Sequence, residues 1–306
     1  PAHNPVMETA GGEHTMRPAA GVFWMLVTGF CFVAVTGLVK HGVPNLPAAQ
    51  SAFLRFLFGL FFVLPAIGAL REARFTAHQW KLFTLRGIVH SGAVILWFFA
   101  MTRITVAEVV SMNYLNPVYV TIGAALFLGE KFALRRALAI CLAFVGMLII
   151  LRPGFREVTD GHLAMIGTAI LFAISYLAAK RLSDDLPPLV IVGVLSISVT
   201  IGLAPFAFAV WRAPTFEEVF WLVLIAGFAT AGHYSMTRAF AVAPVAVTQP
   251  VTFLQLVWAA LLGWLVFGEP VDPWVVTGGT LILGAVSFLT IREAMLKRRS
   301  TTVTDV

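Results

Sequence analysis

Two stretches of the chain, Asn113 to Tyr119 and Gln249 to Trp258, set amide, hydroxyl and aromatic side chains into otherwise apolar sequence. The first carries Asn113, Tyr114, Asn116 and Tyr119 around Pro117, and the second carries Gln249, Thr252, Gln255 and Trp258 around Pro250. An offset of 139 places Thr252 on Asn113, Gln255 on Asn116 and Trp258 on Tyr119. On a helix, spacings of three and four keep such residues on one face. Uncharged donors and acceptors beside aromatic rings suit reversible binding of a small organic molecule: the amides orient it and the rings stack on it. The same amides can also join helices to one another. Bond-making chemistry has no comparable support. There is no HExxH, no GxSxG and no pair of mid-segment carboxylates. The chain is therefore expected not to be an enzyme, with no metal and no cofactor.

Histidines extend the pattern. His90, Val94 and Trp97 share one helical stripe; Ala229, His233 and Met236 share another, with Tyr234 and Thr237 adjoining. Imidazoles there can hydrogen-bond a substrate or carry a proton, since His titrates near neutral pH. Ser175 and Tyr176 are placed to reach the same space. Two charges lie inside apolar segments at similar depth, Arg55 and Glu108, and are expected to form an ion pair that acts as a gate or a substrate anchor. Pro65, Pro117, Pro205 and Pro250 are candidate hinges, because each removes a backbone donor from its helix.

The elements that position these residues follow from composition. Of 306 residues, 59% are hydrophobic and only 12% charged, against about 25% charged in a soluble domain. Most of the chain must therefore sit in lipid, and the bilayer is its first partner. A hydrocarbon core about 30 Å thick needs about 20 apolar residues per helix. Ten segments qualify: 21–40, 48–70, 79–102, 105–128, 134–151, 161–181, 187–210, 218–241, 245–267 and 273–291. The net charge of +6 is modest and dispersed at segment ends, which argues against nucleic acid. Those ends are unequal: with a cytoplasmic N-terminus, 14 of the 21 Lys and Arg fall inside and five outside. By the positive-inside rule both termini are cytoplasmic. Cys31 and Cys141 lie in apolar runs without metal-ligand spacing and read as packing residues.

The two polar stretches belong to a larger repeat. At an offset of 140, Gly21 meets Gly161, Met25 meets Met165, Thr28 meets Thr168, Lys40 meets Lys180 and Pro65 meets Pro205. After a slip of one residue, Leu115 meets Leu254 and Gly129-Glu130 meets Gly268-Glu269. Five segments per half is an odd number, so the second half starts on the opposite side of the membrane. Inverted repeats of this kind are typical of secondary transporters, with the substrate near the midplane between the halves. A scaffold needs no such matched polar midplanes, and a channel is disfavoured on the same ground.

"LNPVYVTIGAALFLGEKF" and "VTFLQLVWAALLGWLVFGEP", closing the fourth and ninth of ten segments, resemble the drug/metabolite transporter superfamily, in its EamA-type ten-helix branch. The resemblance covers residues 20–292. It implies a central cavity between segments 1–4 and 6–9, with segments 5 and 10 outside it. The expected fold is thus an all-α membrane protein: ten transmembrane helices as two inverted five-helix repeats, N and C termini cytoplasmic. Residues 1–18 are expected to be a disordered tail rather than a signal peptide, 19–152 the first repeat, 153–292 the second, and 293–306 a cytoplasmic tail. The expected function is secondary transport of a small organic metabolite across a bacterial-type inner (plasma) membrane, by a protein that acts as a monomer. A neutral, amide-bearing, aromatic lining with one arginine points to amino-acid export by alternating access. Uptake of a flat heterocycle such as riboflavin, or drug efflux, is the alternative.

Overall fold

The structure is a computed structural model and describes residues 18–127, 134–155, 157–182, 185–242, 251 and 253–304. Those residues form α1 (Pro18–Gly42), α2 (Ala48–Gly59), α3 (Ile67–Glu72), α4 (Ala77–Met101), α5 (Val106–Asn113), α6 (Asn116–Phe127), α7 (Leu134–Leu151), α8 (Asp160–Leu182), α9 (Pro188–Ala209), α10 (Phe216–Val242), α11 (Phe253–Phe267) and α12 (Pro273–Thr304). Among the described residues, five helices are long and apolar enough to cross a membrane: Ala19–Gly42, Ala77–Met101, Asp160–Ala179, Val190–Ala209 and Phe216–Met236. Shorter apolar helices cover Ala48–Phe62, Ala137–Leu151, Leu254–Phe267 and Pro273–Phe288.

Two predicted segments are not single α-helices. Segment 48–70 passes from α2 through a 3₁₀ stretch, Leu60–Ala66, into α3, and Pro65 lies in that stretch. Segment 105–128 breaks between α5 and α6. Proline has no N–H to return to the residue four before it, so Pro117 cannot bond Asn113. The chain tightens instead: the Tyr114 amide bonds Ser111 at 3.3 Å and the Leu115 amide bonds Met112 at 3.1 Å. By contrast, α9 runs through Pro205 and ends at Ala209. α12 continues to Thr304, well past the predicted segment end at 291.

Several helix starts are written locally. Thr76 and Gln79 form a capping box on α4, and Thr105 and Glu108 form one on α5; each satisfies amides that the first turn leaves open. The packing is pairwise. α1 lies on α10 and on α11, α4 on α8, α6 on α8, α2 on α9, and α7 on α12. Numbered as segments, the 1–8 and 3–6 pairs exchange when the two halves are exchanged, and the 2–7 and 5–10 pairs map onto themselves. One contact repeats in detail. Gly37 of α1 faces Leu262 of α11, and Gly123 of α6 faces Leu177 of α8. The offset of 140 puts Leu177 on Gly37, and the offset of 139 puts Leu262 on Gly123. The same close approach is made twice with the small and large partners swapped. The main apolar core runs through all these pairs, with Phe98, Met101, Met112, Leu115, Met165 and Leu203 essentially inaccessible.

Candidate functional site

The α4–α8 pair brings four predicted residues together. His90 Nδ1 lies 3.0 Å from the Ser175 hydroxyl. The His90 ring packs on Phe172 with centroids 4.8 Å apart and meets Phe56 of α2 edge-on at 6.2 Å. Phe172 in turn stacks on Tyr176 at 5.8 Å with the planes only 17° apart, and Trp97 meets Phe172 edge-on at 6.4 Å. The group is organised around Phe172, a residue that the sequence reading did not single out. Ser175 is buried, while Tyr176 leaves 41% of its surface open. The indole N–H of Trp97 is buried with no hydrogen-bond partner among the described residues.

The α1–α10 pair carries the matching arrangement. His233 meets Phe32 of α1 edge-on at 5.2 Å. Phe32 and Phe172 are related by the offset of 140. Each half therefore presses its histidine against the equivalent phenylalanine of the other half. His90 and His233 lie within electrostatic range of one another and of Arg55 and Arg86. Around His233, Phe30 touches Phe228 and Trp258, both at 6.4 Å, and Tyr234 meets Trp24 at 6.2 Å. Phe30 and Trp258 are 53% and 41% exposed, so their rings leave open faces.

The amides at the α5–α6 break form a third group. Asn116 Nδ2 donates to Asn113 Oδ1 at 3.1 Å, and Asn116 Oδ1 is buried with no partner among the described residues. Tyr114 is buried and hydrogen-bonds the backbone at Leu256 of α11, which joins segments 4 and 9. Gln255 lays its side chain along Gly29 of α1. Tyr119 is not brought to these groups: its ring packs on Phe144 of α7 at 5.9 Å. α6 restarts at Asn116, so Tyr119 stands on the same helix as Asn116 but turns towards α7. Thr237 lies on α10 and Pro117 on α6. Gln249, Pro250, Thr252 and the Gly129-Glu130 pair fall outside the described residues.

The expected Arg55–Glu108 ion pair is not formed among the described residues. Glu108 turns back on its own helix, where Oε2 accepts the Thr105 amide at 2.8 Å, and Oε1 meets His162 Nε2 at 3.3 Å. His162 Nδ1 accepts the Thr159 amide at 3.2 Å, which puts the ring proton on Nε2, facing the carboxylate. The pair thus couples the caps of α5 and α8, and both side chains are buried. Similar depth was the wrong criterion. Thr105-x-x-Glu108 is a capping-box spacing, and it commits the carboxylate to the helix start. A second charged contact, unpredicted, stands at the same end: Lys40 binds Glu269, whose other oxygen accepts the Val106 amide at 3.0 Å. Lys40 also donates to the Ile104 carbonyl at 2.9 Å. Lys40, Glu269, Glu108 and His162 share an open pocket of about 450 Å³.

What the arrangement offers is a set of stacking faces, scattered uncharged donors and acceptors, and two buried arginines. Among the described residues no cluster of potential metal ligands is present. The model of the EamA-like transporter family matches residues 19–152 and matches again over 159–291. The chain belongs to the EamA-like transporter family. That places it in the drug/metabolite transporter superfamily, and its bacterial transporter relatives together with the apolar helices make it a multi-pass plasma-membrane protein that transports a small molecule. Among its relatives, a riboflavin transporter of Rhizobium johnstonii is 30% identical, covering 95% of this chain and 98% of its own. A riboflavin transporter of Vibrio cholerae is 28% identical over 92% of this chain and 97% of its own. A pseudopaline exporter of Pseudomonas aeruginosa is 26% identical over 87% of this chain and 94% of its own. A solved crystal structure superposes with a TM-score of 0.58 over 91% of this chain and 99% of its own, at 17% identity, which shows a shared fold.

Proposed function

We propose that this chain takes up a flat heterocyclic metabolite of the riboflavin type across the plasma membrane. The observation that carries the reading is the crossed pair of histidine–phenylalanine contacts, His90 on Phe172 and His233 on Phe32. Tyr176, stacked on Phe172, keeps an open ring face, as do Phe30 and Trp258 where α1 meets α11. An aromatic ring system gains most from offset or edge-on contact with such faces. The unpartnered Trp97 N–H and Asn116 Oδ1 supply one donor and one acceptor for its polar rim. The two near-full-length relatives named as riboflavin transporters favour the same class.

Amino-acid export is the weaker reading. It needs an acceptor for the ammonium group, and Glu108 is committed to its cap and to His162. For the mechanism we infer ten spans in two inverted halves of five, with both termini cytoplasmic, alternating about the group just described. The repeated α1–α11 and α6–α8 contacts support that arrangement, since inverted halves with equivalent packing have two exchangeable states of similar energy. The test is genetic. A bacterial strain unable to make riboflavin should grow at low external riboflavin when it expresses this chain. Absence of rescue by protein present in the membrane would count against the substrate.

A further inference from the structure

Arg55 of α2 is the most conspicuous side chain that the reading above leaves without work. It is only 9% exposed. Among the described residues it makes no hydrogen bond and no ion pair. Its guanidinium carbon lies 4.1 Å above the Phe56 ring. Phe56 is the ring that meets His90 edge-on, so Arg55 adjoins the His90–Phe172–Tyr176 group through a single aromatic layer. Arg86 adds a second positive charge: it gives one long bond, 3.3 Å, to the Ile191 carbonyl, and its Nε is buried without a partner. Both arginines act electrostatically on His90 and on His233.

A guanidinium carries five donors in a planar fork and no acceptor. Burying it unpaired is costly. Inside a membrane segment such a charge is retained when it serves a substrate or ion path. The carboxylate expected to neutralise it, Glu108, is held by His162 and by the α5 cap. Arg55 and Arg86 thus present donors and positive charge, and among the described residues no carboxylate is bonded to either.

We propose that Arg55 recognises an edge of the substrate bearing two adjacent hydrogen-bond acceptors. Two sources share this chemistry: a ring carbonyl beside a ring nitrogen, as on a flavin, or a carboxylate. The first rests on the heterocycle reading; the recognition by Arg55 does not. A planar fork matches either pair in bidentate fashion, which a lysine cannot do.

The test is equilibrium binding to the purified full chain in nanodiscs, with tritiated riboflavin in one arm and tritiated L-phenylalanine in the other. Each is measured on the unmodified protein, Arg55→Gln and Arg55→Lys, together with ligand-free thermal stability. Arg55→Gln should weaken the ligand that binds by roughly 10- to 100-fold. Arg55→Lys should recover only part of the loss, and ligand-free stability should be unchanged or higher because an unpaired buried charge is removed. Arginine-dependent binding of phenylalanine instead of riboflavin keeps the proposal and overturns the heterocycle. Riboflavin binding that is the same in Arg55→Gln keeps the heterocycle and overturns the proposal. A marked loss of ligand-free stability in Arg55→Gln assigns the residue to the scaffold and also overturns it. Binding of neither probe by the unmodified protein overturns it for both acceptor types.

Discussion

Neutralising Glu269 should loosen one end of the transporter by a measurable amount. Its carboxylate joins two elements, Oε1 on Lys40 at the end of α1 and Oε2 on the Val106 amide at the start of α5, while its backbone amide holds it to the Gly263 carbonyl of α11 at 2.9 Å. The side chains are 21% and 11% exposed for Lys40 and Glu269, so the pair is neither fully buried nor free in water. Removing one partner of a fully buried pair costs about 3–5 kcal/mol, and exposed pairs contribute about 0–1 kcal/mol. The intermediate position gives about 2 kcal/mol for Glu269→Gln. Lys40 keeps the Ile104 carbonyl and its place 5.6 Å from the Phe267 ring in that variant, which limits the loss. Unfolding by SDS titration in mixed micelles measures this for Glu269→Gln, Lys40→Met and the double variant. The cycle should return a coupling of about 1 kcal/mol. Distant sites add to within about 0.3–0.5 kcal/mol, so a coupling below about 0.3 kcal/mol would refute the idea that this contact ties the two halves.

Other consequences concern packing, the site and the cycle. Gly146 and Gly278 let α7 and α12 touch backbone to backbone, and a Cβ on Gly278 would come within 2.5 Å of the Gly146 carbonyl; Gly278→Ala should cost about 2 kcal/mol in the same titration. Ser175→Ala removes the partner of His90 and should weaken riboflavin binding roughly three- to tenfold in nanodiscs without changing protein yield. His162→Ala takes away both the α8 cap and the Glu108 contact and should lower stability by about 1–2 kcal/mol. Single cysteines at the two ends of α6 and of α11 should label reciprocally with impermeant reagents when substrate drives the cycle, and simultaneous labelling of both ends would count against alternating access.

Much of this was readable from residue order, and the failures share a cause. Apolar length marked the long helices, and the matched pairs Met25/Met165, Thr28/Thr168 and Lys40/Lys180 gave a register that agrees with the family model matching twice, over 19–152 and 159–291. That register also places Phe32 on Phe172, the residues that hold the two histidines, yet a phenylalanine in a hydrophobic run gives no signal by type. His90, Ser175 and Tyr176 were legible because polar groups in apolar helices stand out, and the structure brings them within contact of one another or of Phe172. Tyr119 shares α6 with Asn116 but packs its ring on Phe144 of α7, a neighbour that residue spacing does not reveal. Glu108 was assigned to Arg55 on depth alone, although local capping outcompetes a distant partner. Lys40 and Glu269 were both noted as repeat markers, but pairing residues 229 apart requires knowing which helices cross, and that is tertiary information.

Counterflow in proteoliposomes tests the central claim most directly. Vesicles loaded with unlabelled riboflavin and diluted into tritiated riboflavin should show a saturable overshoot of label, reduced at least about tenfold by Phe172→Ala, since base–aromatic stacking alone is of order 1–3 kcal/mol. No overshoot with riboflavin, alongside one with labelled amino acids in matched vesicles, would contradict the account.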